Sequence, residues 1–256
     1  MGLDPSDATR GADLMDLVSQ TVGWLAEPAH WAGPNGIPTR LLEHLAISNA
    51  SLLIAIAIGL PLGLWVGHTG RGTRAVVNLA TLGRALPSLA VIGIALPITT
   101  DIDPQLGFKV YPTLVAMVVL ALPPILVNVH AGVAGVDREL VEAARGMGMR
   151  EREILGRVEI PLALTVLAGG IRSAAVQVVA TATLGAIFGF GGLGRYLVDG
   201  IAQNDDGQLF GGVTLVAGLA VVTELIFALL QRAAISPGLR IRIEPGVGPV
   251  AGEAGG

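Results

Sequence analysis

Residues 45–67 read LAISNASLLIAIAIGLPLGLWVG, a run of 23 positions without a single Asp, Glu, Lys or Arg. About 20 such residues in a helix cross the hydrocarbon core of a bilayer. Backbone cannot lie unsatisfied in lipid, and the run lacks the ten-residue alternation of a barrel strand, so it reads as a spanning helix. Four further apolar stretches follow: Asn78–Ile98, Val110–Val133, Ser173–Gly194 and Leu209–Leu230. The fold class is therefore all-α, a polytopic transmembrane helix bundle with about five spanning helices embedded in a lipid bilayer. Pro61, Pro87, Pro97 and the pair Pro123–Pro124 fall inside these stretches, where each is expected to kink or locally break its helix.

Composition agrees. Hydrophobic residues make up 52% of the 256, with 36 glycines on top, where soluble domains hold roughly 45–50% for both together. Charged residues are 14%, against about 25% in soluble chains, too few to cover a soluble surface. Mean hydropathy is +0.68. The net charge of −4 carries no basic excess, so nucleic acid is not an expected partner. The absence of cysteine removes disulfides, thiolate metal sites and a thiol nucleophile. His30, His44, His68 and His130 show no His-Glu-x-x-His spacing, and no Gly-x-Ser-x-Gly elbow occurs; no metal ligand and no catalytic residue is assigned. The single lysine, Lys109, precedes Val110, which rules out a phosphate-cradling Gly-Lys-Ser/Thr loop, so this chain is not itself an ATPase. Gly189-Phe190-Gly191-Gly192-Leu193-Gly194 matches a dinucleotide fingerprint but closes an apolar helix with no βαβ pattern beside it, and it reads as a tight turn.

Charge sets the expected orientation. Ten of the 16 basic residues fall in the loops after the first, third and fifth spans, among them Arg71, Arg138, Arg145 and Arg232. The positive-inside bias then puts the N-terminus outside and the C-terminus in the cytoplasm. Residues 1–43 carry no apolar signal-peptide core and are expected to be extracytoplasmic, with an interfacial helix whose face is Leu14, Leu17, Val18, Thr21 and Leu25. Residues 44–233 form the transmembrane domain, and 234–256, rich in Pro and Gly, is expected to be a flexible cytoplasmic tail.

The loop 137–161 carries the densest signal. Asp137 is a good N-cap with Glu139 in the first turn. Gly146 is expected in the left-handed C′ position after Arg145, and a second short helix begins near Arg150, supported by Glu153 and Arg157 at i,i+4. The helix–turn–helix presents an apolar ridge of Leu140, Val141 and Ala144, with small residues at Ala143, Ala144 and Gly148. It reads either as a solvated connector or as an element that seats in a partner.

Glu142-Ala143-Ala144, Gly148 four residues on, and Ile160-Pro161 with Pro161 thirteen residues after Gly148 resemble the EAA loop of permease subunits from binding-protein-dependent ABC importers. The resemblance implies that residues 137–161 couple to a separate ATP-binding subunit, which holds ATP-Mg, while this chain needs no cofactor. Glu142, Ala143, Ala144, Gly148, Ile160 and Pro161 are the implied coupling residues. It further implies a separate extracytoplasmic solute-binding protein and a second permease subunit, either this chain or a paralogue. Ala85-Leu86-Pro87-Ser88-Leu89-Ala90, Gly146-Met147-Gly148-Met149, Glu159-Ile160-Pro161-Leu162-Ala163, Gly170-Ile171-Arg172-Ser173-Ala174 and Gly191-Gly192-Leu193-Gly194 resemble the osmoprotectant permeases, importers of glycine betaine, carnitine or choline. His130 departs from that pattern, which has an aromatic there. A methionine or other small-solute importer remains an alternative, as does a proton-coupled secondary transporter using Glu224, or a membrane scaffold without transport.

Within the spans, Gly59, Gly63 and Gly67 share one helix face and read as a close-packing surface. Arg172 and Glu224 are the charged outliers; intramembrane charge faces a cavity or a partner. Glu224 is expected to line the bundle or pair with a basic group such as Arg172, while Arg172 has the alternative of snorkelling at the boundary. Asn128 and His130 are candidates for the solute path, or for satisfying carbonyls freed by Pro123 and Pro124.

Overall fold

The structure is a computed structural model and describes residues 5–234; all but the first residue of the expected tail 234–256 lies outside the described residues. Among them there is no strand. In chain order the helices are α1 (Pro5–Ala26), α2 (Ile37–Thr69), α3 (Thr73–Ala85), α4 (Ser88–Ile102), α5 (Leu106–Lys109), α6 (Tyr111–Ala134), α7 (Arg138–Gly146), α8 (Glu151–Ile154), α9 (Ile160–Ala182), α10 (Gly194–Gln203) and α11 (Asp206–Ala234). Among the described residues four stretches are long and apolar enough to span: Ile37–Thr69, Tyr111–Ala134, Glu151–Phe188 and Asp206–Ala234. Ser88–Ile102 is apolar but shorter.

In lipid, hydrophobicity does not drive helices together; contact depends on how closely their backbones approach. Gly59, Gly63 and Gly67 recur every fourth residue on α2, and Ile125, Val129 and Val133 recur every fourth on α6. A methyl built on Gly59 would lie 2.9 Å from Ile125, one on Gly63 2.7 Å from Val129, and one on Gly67 2.7 Å from Val133. The glycines form a groove and the branched side chains the ridge that fills it. α6 is buried on its other side too, where Gly132 receives Leu167 of α9. Met117, Ala121, Ile125, Val129, Ala174 and Val178 close the core shared by α2, α6 and α9.

Two expected spans are redrawn. Asn78–Ile98 is not one helix: the chain leaves α3 at Ala85 and re-enters a helix at Ser88. Pro87 supplies no backbone donor and pushes Leu86 out of the helical region, which separates the two helices. The other internal prolines stay within continuous helices. The expected Ser173–Gly194 span begins earlier, at Ile160, and its α-helix ends at Ala182 in a 3₁₀ segment, Thr183–Phe188. Arg172 therefore lies inside a helix rather than at its start, tolerated because it has a partner, as described below. The glycines after Phe188 take left-handed conformations at Gly189 (φ 82°) and Gly192 (φ 72°) and turn the chain into α10.

At the end of the bundle formed by the start of α2, α1 lies against α11. Trp24 is its buried contact, packing on Gly211, Tyr196 and His30. Leu14 and Val18, on the expected apolar face, remain exposed.

Gly63→Leu is expected to destabilise the detergent-solubilised protein by about 1–3 kcal/mol through overpacking against Val129. Gly93→Ala, where the added methyl meets nothing within 4 Å, should keep the thermal midpoint or raise it slightly, since alanine favours a helix interior over glycine. Equal midpoints for the two variants would contradict the α2–α6 seam.

Candidate functional site

The loop between α6 and α9 is held by its own caps. Asp137 accepts a hydrogen bond from the Glu139 backbone N–H at 2.9 Å and starts α7. At the far end the N–H of Gly148 reaches the Arg145 carbonyl (3.0 Å) and that of Met149 the Ala144 carbonyl (3.2 Å), the two bonds of a Schellman turn. The left-handed residue is Gly148, at φ +84°, and not Gly146, which remains helical. The capping geometry needs its free conformation two residues later than sequence spacing suggested. Glu153 accepts from the backbone N–H of Arg150 at 2.9 Å, so it caps α8 rather than pairing with Arg157. A π-helical turn, Leu155–Glu159, then leads into α9 at Ile160, directly before Pro161, whose missing N–H disfavours a regular turn there.

Of the six loop residues singled out above, Ala144 is buried (3% exposed). Glu142, Ala143, Gly148 and Pro161 are exposed, and Ile160 is half-buried. Ala143, Ala144 and Pro161 line an open groove of about 370 Å³ with Leu140, Met147 and Leu162. Leu140 is 50% exposed and Met147 76%, an apolar face left open by the described residues.

A chain of polar contacts fixes this loop to the first span, and sequence reasoning missed it. Glu159, only 5% exposed, accepts from Nδ1 of His68 at 2.6 Å. Nε2 of His68 lies 3.3 Å from Glu151, and Glu151 takes both arms of Arg145 at 2.7 and 3.0 Å. Glu151 holds the Arg145 guanidinium above its ordinary pKa, chiefly through that hydrogen bond. One histidine thus ties the last turn of α2 to the ends of α7, α8 and the π-turn. The available signal was an acid, Glu159, between Val158 and Ile160 on the threshold of a span.

Glu142 and His130 line one cavity of about 290 Å³ with His68, Arg145 and Glu159. His130 Nε2 lies 3.2 Å from the Thr73 hydroxyl. Asn128 donates to the Pro124 carbonyl at 2.8 Å. Pro123 and Pro124 free the carbonyls four residues earlier, at Val119 and Leu120, so neither side chain serves the role expected of it there. The structure separates these two residues: His130 sits at the loop end and Asn128 higher in the bundle.

Arg172 and Glu224 meet. The Arg172 guanidinium donates to Glu224 of α11 and, at 3.3 Å, to Gln231. Gln231 in turn donates to the Thr165 carbonyl at 2.9 Å. Both charged side chains keep over a third of their surface exposed (36% and 39%) on the α9–α11 face of this chain. At the opposite end of the bundle, Gly192 N–H donates to Glu43 at 2.8 Å, and Glu43 also accepts from Arg40. A side chain on Gly191 would strike that carboxylate, which explains the glycine-rich turn without any dinucleotide. Trp24, Tyr196, Arg40 and Arg195 line a cavity of about 560 Å³ there; burial pushes the Tyr196 phenol up. Among the described residues no cluster of ligating side chains fits a metal ion.

Residues 59–241 match the family model described as binding-protein-dependent transport system inner membrane component. The chain is 34% identical over 74% of its length to the carnitine transport permease protein of Listeria monocytogenes, covering 84% of that protein. It is 36% identical over 77% to the osmoprotectant import permease protein of Salmonella typhimurium, covering 91% of it. It is 32% identical over 77% to the glycine betaine/carnitine/choline transport system permease protein of Bacillus subtilis, covering 88% of it. In fold it is similar to a chain of the inward-facing MetNI methionine ABC transporter, with a TM-score of 0.70 and 24% identity over 82% of this chain and all of that one.

Charge reversal at one member of the Arg172–Glu224 pair is expected to leave two like charges facing each other in the membrane, where an unpaired charge costs about 2.5–3.5 kcal/mol. Arg172→Glu and Glu224→Arg should each lower the yield of folded protein, and the double reversal should recover most of it; no recovery would show the pair to be incidental. Glu159→Ala should free the loop, raising amide exchange across Arg138–Gly146 severalfold while exchange in α6 stays at its original rate.

Proposed function

The chain belongs to the inner membrane components of binding-protein-dependent transport systems, and from that premise we propose that it is the permease subunit of an ATP-driven importer for quaternary-amine osmoprotectants. Glycine betaine, carnitine and choline define the solute class. The chain is a multi-pass protein of the inner membrane. Its N-terminus lies outside, and the end carrying α7 and α8 faces the cytoplasm.

The observation that carries this reading is the exposed apolar face of α7, held in place by its caps and open among the described residues. A connector between two spans has no need of a Schellman turn, a buried carboxylate and an exposed Leu140–Met147 ridge beside an open groove. A groove that a second protein fills does. We assign that partner as the ATP-binding subunit, which holds ATP-Mg. Because α8 and the π-turn are bonded through Glu151 and Glu159 to His68 on α2, displacement of α7 is passed to the helix whose glycine groove holds α6. Differential contacts of the ATPase with two arrangements of this loop are what shift the bundle between outward- and inward-facing states. A solute-binding protein delivers the solute to the outer face, where the Gly189–Gly194 turn and α10 lie, and a second permease subunit completes the path. The methionine alternative rests on likeness of fold alone, and protonophore treatment at constant ATP separates the proton-coupled one.

The experiment is uptake of labelled glycine betaine, carnitine, choline and methionine by cells that carry or lack this chain. Competed uptake of the three quaternary amines, lost without the chain, is the expected outcome; uptake of methionine alone would replace the solute class. Met147→Asp should abolish co-purification with the ATPase subunit and cut uptake at least tenfold, with the thermal midpoint unchanged because Met147 touches little of its own chain. Full ATPase binding by Met147→Asp and Leu140→Asp together would refute the docking face.

A further inference from the structure

The middle of α6 holds a second polar place that the coupling loop does not explain. Pro123 and Pro124 are the thirteenth and fourteenth of its 24 residues, and Gly83 of α3 packs directly on the Pro123 ring. Between α3, α6 and α9 lies a cavity of about 260 Å³. Its described lining carries no formal charge, and three of its side chains are neutral and polar: Asn128, Ser173 and Gln177. Ser173 and Gln177 stand one turn apart on α9 and so share a face. Both are exposed in the single chain. Asn128 spends one N–H on the Pro124 carbonyl and retains its other donor and its carbonyl oxygen. Arg172, the neighbour of Ser173 in sequence, is turned to Glu224 and Gln231 on α11.

Exposed hydroxyl and amide groups halfway along a spanning helix are costly against lipid and mark a path or a binding place. Ala80 and Gly83 of α3 line this cavity, and α3 ends at Ala85, where the expected second span is interrupted; solute sites in transporters gather near such interruptions. The donor set then decides the ligand chemistry. Hydroxyl and amide N–H groups suit carboxylate oxygens. A trimethylammonium group has no N–H to satisfy; its methyl groups meet Leu120, Val127 and the proline rings, and its charge is balanced within the zwitterion by the carboxylate. Neutral polar groups such as these three hold a net-neutral zwitterion loosely enough to release it, as conduction requires.

We propose that this cavity is a transit subsite for the carboxylate of a zwitterionic osmoprotectant, with Ser173 and Gln177 as the groups that recognise it. The inference rests on the function proposed above and sharpens it: glycine betaine and carnitine present a charged carboxylate to these donors, and choline, which offers them only a neutral hydroxyl, gains less.

The chain contains no cysteine, so a single one can be placed and labelled selectively. The test uses the complete transporter, this chain with its ATPase and binding protein, reconstituted in liposomes. In the Ser173→Cys variant, millimolar glycine betaine should slow labelling by a small thiol reagent severalfold, and choline at the same concentration should slow it distinctly less. Gln177→Leu should lower glycine betaine uptake relative to choline by roughly tenfold or more, the effect of one lost hydrogen bond to a charged group. Ser173→Thr, which keeps the hydroxyl, should retain the wild-type ratio. Equal protection by the two solutes, or none by either, overturns the subsite, as does an unchanged uptake ratio in Gln177→Leu. If Gln177→Leu does not assemble, Ser173→Ala, which removes one exposed hydroxyl, decides the ratio. Wild-type transporter that carries no quaternary amine would instead overturn the proposed function, so the two failures are distinguishable.

Discussion

The contact on which the rest of this molecule depends is the groove of Gly59, Gly63 and Gly67 filled by Ile125, Val129 and Val133. In a bilayer the solvent is as apolar as the side chains, so affinity between helices comes from the number of atoms brought within van der Waals range. Removing three side chains from α2 brings its backbone against α6. That in turn leaves α6 close enough to α9 for Leu167 to fill the space over Gly132. The three helices behave as one packed body, and what is attached to either end of α2 is attached to the whole.

Each end of α2 carries such an attachment. Glu43 and Arg40, near its start, hold the glycine turn that leads into α10. His68, near its finish, holds Glu159 and lies beside Glu151. A rigid rod with polar clamps at both ends is suited to carrying a displacement across a membrane, since a packed core shifts between discrete arrangements rather than deforming continuously. The Arg172–Glu224–Gln231 cluster works differently. It ties α11 to α9 from the side, with both charged side chains a little over a third exposed on the surface of the single chain.

How much was legible in sequence depended on the range of the interaction. Apolar runs, the Asp137 cap and the Glu-Ala-Ala loop are local patterns, and they read correctly as helices and as a structured loop. The Arg172–Glu224 pair was legible as one of two readings, the other leaving Arg172 at the boundary; the structure pairs them. His68 and Glu159 were passed over because they are 91 residues apart and each alone is unremarked at a span boundary. Ser173 and Gln177 were hidden for another reason. Small and amide side chains on one helix face look the same whether they pack, face water or bind.

Composition and hydropathy by themselves determined that this chain lies in a membrane as helices, and short-range spacing determined where its structured loop begins. Only the tertiary structure decided where the second span is severed, where the fourth begins, which glycine turns the loop, and which polar residues face one another. The division is physical. Transfer of a segment into lipid is a sum over its own residues, so sequence contains it. A clamp, a cap register or a cavity is a relation between segments, and it exists only once the α2–α6–α9 core has set the distances.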